Sequence, residues 1–158
     1  MTVPKVVDPQ VVRAPQAERL LTEVAVGVLV RLSDGAFLLT SRPKGKPYAG
    51  YWEFPGGKLE AGETVLEALA RELQEEIGIQ VQDATLWRQE VFDYPHAMVR
   101  LHFCLVTNWL GNIEMRESQD FNWSTLPVRL EPVLPGTFPV LTWLAEDRGF
   151  IGPVSEGL

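Results

Sequence analysis

The chain has 158 residues, 46% of them hydrophobic, enough for one domain with a buried core. A formal net charge of -7 and a pI near 4.8 set it apart from polynucleotide binders, which present a basic face. The single Cys104 allows neither an internal disulfide nor a cysteine zinc site, and no apolar run has the length of a membrane span. The expectation is a cytoplasmic protein, off the membrane, whose anionic ligands are small and reached through a cation.

Residues 1–20 mix proline, charge and short apolar pieces. They read as an arm, loose or with a short helix near "PQAERLL", ahead of one domain over 21–158. "VAVGVLVRL" and "AFLLTS" are β-branched and apolar runs separated by "SDG", the pattern of a hairpin. "RPKGKPYAG" is a polar loop, and "YWEFPGG" is a short strand entering a glycine turn. A helix comes next, then strands in "TLWRQEVFDYP" and "MVRLHFCLVTNW". In the second of these, Val99, Leu101, Phe103 and Leu105 alternate with Arg100, His102 and Cys104, which implies one buried face. "LGNIEMRESQD" is a loop and "FNWSTL" holds a short strand. "TFPVLTWLAEDRGF" closes the chain as a helix, with Thr137 as cap, Pro139 in the first turn and Gly149 as the stop. Strands and hairpins around a central helix predict an α/β fold, a mixed sheet between helices.

The central helix is predicted from Thr64, whose capping-box partner is Glu67, to Gly78. Leu66, Leu69, Leu73 and Ile77 form its apolar stripe. At about 100° per residue, Glu76 falls about 60° from Leu73, Glu72 about 100° on the same side and Glu75 about 160°. Three carboxylates therefore flank the buried stripe, with Glu76 the most desolvated. Unit charges about 5 Å apart repel by about 3 kcal/mol at an effective dielectric near 20. Arg71, four residues before Glu75, relieves one such contact and cannot neutralise all three. A divalent cation can, and oxygen ligands suit Mg²⁺. The glycines of "FPGGK" let backbone approach an ion or a phosphate.

Gly57, Glu63, Arg71-Glu72-Leu73, Glu75-Glu76 and Gly78-Ile79, at these spacings, resemble a complete Nudix box. "SRP" followed by "GYWEFPGGK" is similar to the MutT-type branch, which clears damaged nucleotides from the pool, and the likeness runs loosely from Val24 to Leu144. The resemblance implies an α/β/α sandwich with a mixed sheet. It implies hydrolysis of a nucleoside triphosphate to monophosphate and pyrophosphate with Mg²⁺, or Mn²⁺ as a substitute. Glu72, Glu75, Glu76 and the Gly56 carbonyl then look like metal ligands, and Glu63 with Arg71 looks like the pair that orients them. Glu117 resembles the late-loop glutamate that joins the metal site, with Glu114 as rival. Glu72 is the first choice for the group that takes the proton from water, and Glu117 the second.

For the substrate, Lys58 and Arg42 are candidates to hold phosphate or nucleobase, and Phe54 and Phe138 to stack on it. His102 is on the polar side of its strand, either facing substrate or satisfied structurally; His96 has no partners at metal spacing. MutT-type enzymes that select oxidised guanine are similar in using an asparagine at the start of the last helix. Here Thr137 stands there, and one hydroxyl cannot pair bidentately. The leading expectation is an 8-oxo-dGTP diphosphatase with a reduced margin over dGTP, read by Thr137 or, failing that, Asn122 or Arg42. The alternatives are a broader pyrophosphatase for pyrimidine or other modified nucleotides, and a non-catalytic nucleotide-binding module. No pattern specifies a protein partner.

Overall fold

A computed structural model describes residues 3–15 and 19–156. The strands are β1 (Lys5–Val6), β2 (Leu21–Leu29), β3 (Phe37–Ser41), β4 (Trp52–Glu53), β5 (Gly56–Lys58), β6 (Gln80–Asp93), β7 (Met98–Leu110) and β8 (Phe121–Ser124). The helices are α1 (Val65–Ile77) and α2 (Phe138–Arg148), the latter entered through a 3-10 turn at Pro135–Thr137.

Two sheets form. One has the order β1-β6-β7-β2-β5, the other β4-β3-β8. The larger is mixed: β2 runs parallel to β7 and β1 to β6, while β6 and β7, and β2 and β5, are antiparallel. Helix α1 covers one face, where Leu69, Leu73 and Ile77 pack on Ala25, Leu29, Cys104 and Val106. Helix α2 covers the other, where Val140, Leu141 and Leu144 pack on Val26, Val28 and Phe103. This is the expected mixed sheet between helices. Both faces of the middle of β7 are buried, because each has its own helix; Phe103 is 1% exposed and Cys104 0%.

Three local expectations are corrected. The runs joined by "SDG" are not a paired hairpin: β2 and β3 enter different sheets, and between the runs one isolated bridge forms, Val30 with Phe37. The glycine turn is an edge strand, since Gly56, Gly57 and Lys58 pair with Val26, Ala25 and Val24. Thr137 makes no side-chain cap; it is buried, and its hydroxyl is directed to the Trp52 carbonyl at 3.5 Å.

Helix α1 has both capping-box bonds at Thr64 and a left-handed Gly78 at its end. Its buried face is the predicted stripe, short of Leu66 in the first turn and widened to Ala68. Leu66 is 39% exposed and Ala68 is fully buried. Ala68 lies about 140° from Leu73, on the same side as Glu72 and Glu76. The helix thus presses its carboxylate flank inward.

The arm takes a specific form. Lys5 and Val6 pair in parallel with Phe92 and Asp93. Of the helix expected near "PQAERLL", residues 16–18 lie outside the described residues; Arg19 and Leu20 are irregular and Leu21 opens β2.

Candidate active site

A cleft of about 620 Å³ opens on the α2 side of the sheet. Its size is that of a small-molecule site. One wall is apolar: Val24 and Val26 from β2, Leu101 and Phe103 from β7, and Phe54. The opposite end is acidic, with Glu53, Glu72, Glu75, Glu76 and Glu117. The two meet because β5 is the sheet edge, so the carboxylate flank of α1 reaches round it.

The glycines of β5 are needed for close approach. A side chain at Gly56 would collide with the Ala25 carbonyl, and one at Gly57 with the Glu72 carboxylate. Backbone and carboxylate are thus packed into a cradle too tight for any Cβ.

Arg71 organises this end. Its Nε donates to Glu63 Oε2 at 2.7 Å and its Nη2 to Glu63 Oε1 at 2.8 Å. Its Nη1 reaches Glu72 at 2.9 Å and Glu75 at 3.3 Å, and Nη2 also donates to the Lys58 carbonyl at 3.0 Å. The guanidinium holds the Glu63 carboxyl down at about 2, and Glu63 first, then Glu72, raises Arg71 in return. Glu76 sits deeper. Burial, then the charges of Glu53, Glu117 and Glu72, push it up to about 8, against a backbone hydrogen bond from Gly56. Gln119 Nε2 donates to Glu76 at 3.4 Å.

Among the described residues, no three His, Cys, Asp or Glu side chains are gathered as the ligands of an ion. The donor set nevertheless suits a hard divalent cation: every candidate ligand is oxygen, the glycine cradle leaves backbone at the site, and Glu76 is a buried carboxylate surrounded by like charge. Glu72, Glu75, Glu76, Glu117 and the Gly56 carbonyl are the groups available to hold one.

Residues 21–144 match the family described as the NUDIX domain. The chain belongs to the Nudix family. Its relatives include the 8-oxo-dGTP diphosphatase of Haemophilus influenzae, 42% identical over 106 residues, covering 67% of this chain and 77% of that protein. The CTP pyrophosphohydrolase of Escherichia coli is 33% identical over 122 residues, covering 77% of this chain and 89% of that protein. Among solved structures, a MutT from work on Aliivibrio salmonicida and Vibrio cholerae superposes with a TM-score of 0.67 at 31% identity, covering 81% of this chain and 99% of that one. Nudix hydrolases act on pyrophosphate bonds and generally need a divalent metal.

Set in this Nudix frame, the cleft gathers most of the expected residues. Glu72, Glu75, Glu76, Glu117, Gly56, Arg42, Lys58, Phe54 and Thr137 all line it. Glu63 and Arg71 stand behind the carboxylates. Glu117 is half-exposed, with Lys46 Nζ at 4.0 Å. Three candidates are not brought in among the lining residues. Phe138 packs against the α2 core, Asn122 is on β8 accepting from Ser124, and the exposed Glu114 pairs with Arg116. His102 is satisfied structurally: Glu23 takes its Nε2 at 2.7 Å and Arg100 at 2.9 Å, on the α1 face, away from the cleft.

Sequence reasoning missed Glu53, Tyr48, Tyr94 and His96, which also line the cleft. Glu53 accepts Arg42 Nη1 at 3.1 and 3.2 Å, and burial raises its carboxyl. The alternation of Val99, Leu101 and Phe103 was the usable signal for the apolar wall. For Glu53 no local signal exists, because its partner Arg42 comes from the loop after β3 and its like-charged neighbour Glu76 from helix α1.

Proposed function

We propose that this Nudix hydrolase uses Mg²⁺ to convert an oxidised nucleoside triphosphate, 8-oxo-dGTP foremost, and water into the nucleoside monophosphate and pyrophosphate. The observation that carries the reading is the cleft itself, where a carboxylate cluster at one end meets an apolar wall and Thr137 at the other. The relatives named as 8-oxo-dGTP diphosphatases support the choice of nucleotide. Residues 21–158 are taken as one catalytic domain and residues 1–20 as its arm. Cleansing of the nucleotide pool, and hence protection of DNA in the cytoplasm, is the role that fits.

In this reading Glu72, Glu75, Glu76, Glu117 and the Gly56 carbonyl hold the metal. Bound there, Mg²⁺ (or Mn²⁺) would neutralise phosphate charge and acidify a coordinated water. Glu72 accepts the proton from the attacking water. Arg71, pinned by Glu63, keeps Glu72 and Glu75 pointing into the cleft. Lys58 and Arg42 offset phosphate charge, and Glu53 fixes the guanidinium of Arg42 through two contacts. Phe54 supplies apolar surface to the nucleobase, and Thr137, whose hydroxyl proton is directed to the Trp52 carbonyl, offers it one acceptor oxygen. The water oxygen forms a new bond to phosphorus as the bridging P–O bond between the α- and β-phosphates breaks, and the departing phosphate oxygen keeps that bond's electron pair.

Thr137 also favours a second reading, a broader pyrophosphatase that accepts pyrimidines, in line with the CTP pyrophosphohydrolase relative. A panel of 8-oxo-dGTP, dGTP, dCTP and CTP with Mg²⁺, scored by kcat/KM for pyrophosphate release, separates the two. The highest value for 8-oxo-dGTP is expected. A higher value for a cytidine nucleotide selects the second reading, and no release from any of them would make the chain a binding module.

A further inference from the structure

The arm lies outside the family match, which begins at residue 21, yet it touches the wall of the cleft. It is tied to the end of β6. Val7 N–H donates to the Asp93 carbonyl at 2.9 Å, as does Arg13 Nη2 at 2.9 Å. The Asp93 carboxylate accepts from Arg13 Nε at 2.9 Å and from Arg19 Nη1 at 2.7 Å. Val7 is buried against Phe92, Tyr94 and Leu134. The next residue, Asp8, turns with φ 50 and accepts the Tyr48 hydroxyl on Oδ2 at 2.6 Å.

Tyr48 itself has φ 59. A bulky side chain rarely adopts that conformation, and it persists only where surroundings hold it. Its ring meets Tyr51 at 5.2 Å, Tyr94 at 5.6 Å and His96 at 5.8 Å between centroids. The Tyr94 hydroxyl accepts the Gly136 N–H at 2.9 Å, one residue before Thr137. Tyr48, Tyr94, His96, Gly136 and Thr137 all line the cleft; Asp8 does not.

We propose that the arm determines nucleobase binding: Asp8, through the Tyr48 hydroxyl, positions the aromatic wall of Tyr48, Tyr94 and His96 against which the nucleobase packs. This rests on the nucleotide reading of the cleft. Asp8 is a positioning residue, since it reaches substrate only through Tyr48. Burial and the Asp8 carboxylate push the Tyr48 phenol up to about 12, so it remains a donor throughout the working pH range.

Two variants test the link without straining the backbone. Tyr48→Phe removes the hydroxyl and keeps the ring. Asp8→Gly removes the acceptor at a positive φ that glycine tolerates. Each is expected to raise the KM for 8-oxo-dGTP by about fivefold, the worth of one hydrogen bond. The double variant should raise it no further, because both changes break the same bond. The Ki of inorganic pyrophosphate, which has no nucleobase, should not move. An Asp8→Gly enzyme with wild-type KM overturns the proposal, as do effects that multiply in the double variant or a Ki that rises with KM. Hydrolysis by the wild type with any of those results leaves the nucleotide reading standing. A wild type that neither hydrolyses nor binds 8-oxo-dGTP overturns both.

Discussion

A carboxylic acid that is 8% exposed and faces three other carboxylates holds its proton, and Glu76 is pushed up to about 8. The folded protein therefore binds that proton more tightly than the unfolded chain. Its contribution to stability is complete below the ordinary value of 4.5 and is lost as pH rises through about 8. With a chelator present, the melting temperature of the wild type should fall across that window. Glu76→Gln should flatten the fall while abolishing Mg²⁺-dependent turnover; an unchanged slope would mean that repulsion at Glu76 is relieved in some other way. For the proton acceptor, Glu72→Gln should lower kcat by about 10²-fold or more with a smaller change in nucleotide affinity. A larger loss of kcat in Glu117→Gln would move that role to the late loop. Thr137 is 2% exposed and lines the cleft. Thr137→Asn should widen the ratio of kcat/KM for 8-oxo-dGTP over dGTP. A wild-type ratio already above about 10⁴, the reach of hydrogen-bonded readout, would show that another group reads the nucleobase.

Helix α1 delivers the carboxylates, and its start depends on the reciprocal bonds between Thr64 and Glu67, at 3.2 and 2.9 Å. Thr64→Ala should cost about 1 kcal/mol, measured as a shift in the urea midpoint at constant slope. This helix was legible in the sequence because its caps and its period are local, and the placing of Glu76 beside the stripe followed from rotation alone. The strands were harder. Leu29 and Phe37 are close in sequence, yet they end in separate sheets, a choice made by partners far along the chain. Gly56 and Gly57 looked like a turn, since glycine's usual reason is conformational. Their actual reason is spatial: the Ala25 carbonyl and the Glu72 carboxylate occupy the room a side chain would need. Thr137 looked like a cap for a similar reason, and the Trp52 carbonyl claims its hydroxyl instead. The acidic end of the cleft was readable from one helix, whereas the aromatic end, assembled from strands and loops far apart in sequence, was not.

At the scale of the whole molecule, the Asp93 carboxylate of the domain gathers two cations of the arm. Asp93 accepts Arg19 and Arg13, and the hydrogen bond from Arg19 is the largest cause of its lowered pKa. A lowered carboxylate stabilises the fold above its ordinary range, and the benefit is lost as pH falls through the depressed value. Asp93→Asn should therefore lower the melting temperature at pH 7, and the gap to wild type should close as the solution is acidified below pH 4, the ordinary carboxylate range. No gap at pH 7 would mean that the backbone pairing of Lys5 and Val6, rather than the charge, secures the arm.

Strand β2 lies between β5, at the acidic end of the cleft, and β7, in its apolar wall. Val24 and Val26 pair with Lys58 and Gly56 on one side and with Leu101 and Phe103 on the other. Two strand spacings, about 9.5 Å, therefore separate β5, against which the Glu72 carboxylate packs, from β7 in the apolar wall. On the nucleotide reading, that interval is a ruler laid along the substrate: hydrogen-bonded registers fix it, so no side-chain rotamer can lengthen or shorten it. The molecule then chooses which phosphate linkage to cut by length, whatever the nucleobase. Substitutions in the aromatic wall should change which nucleotide is cut without changing where the cut falls.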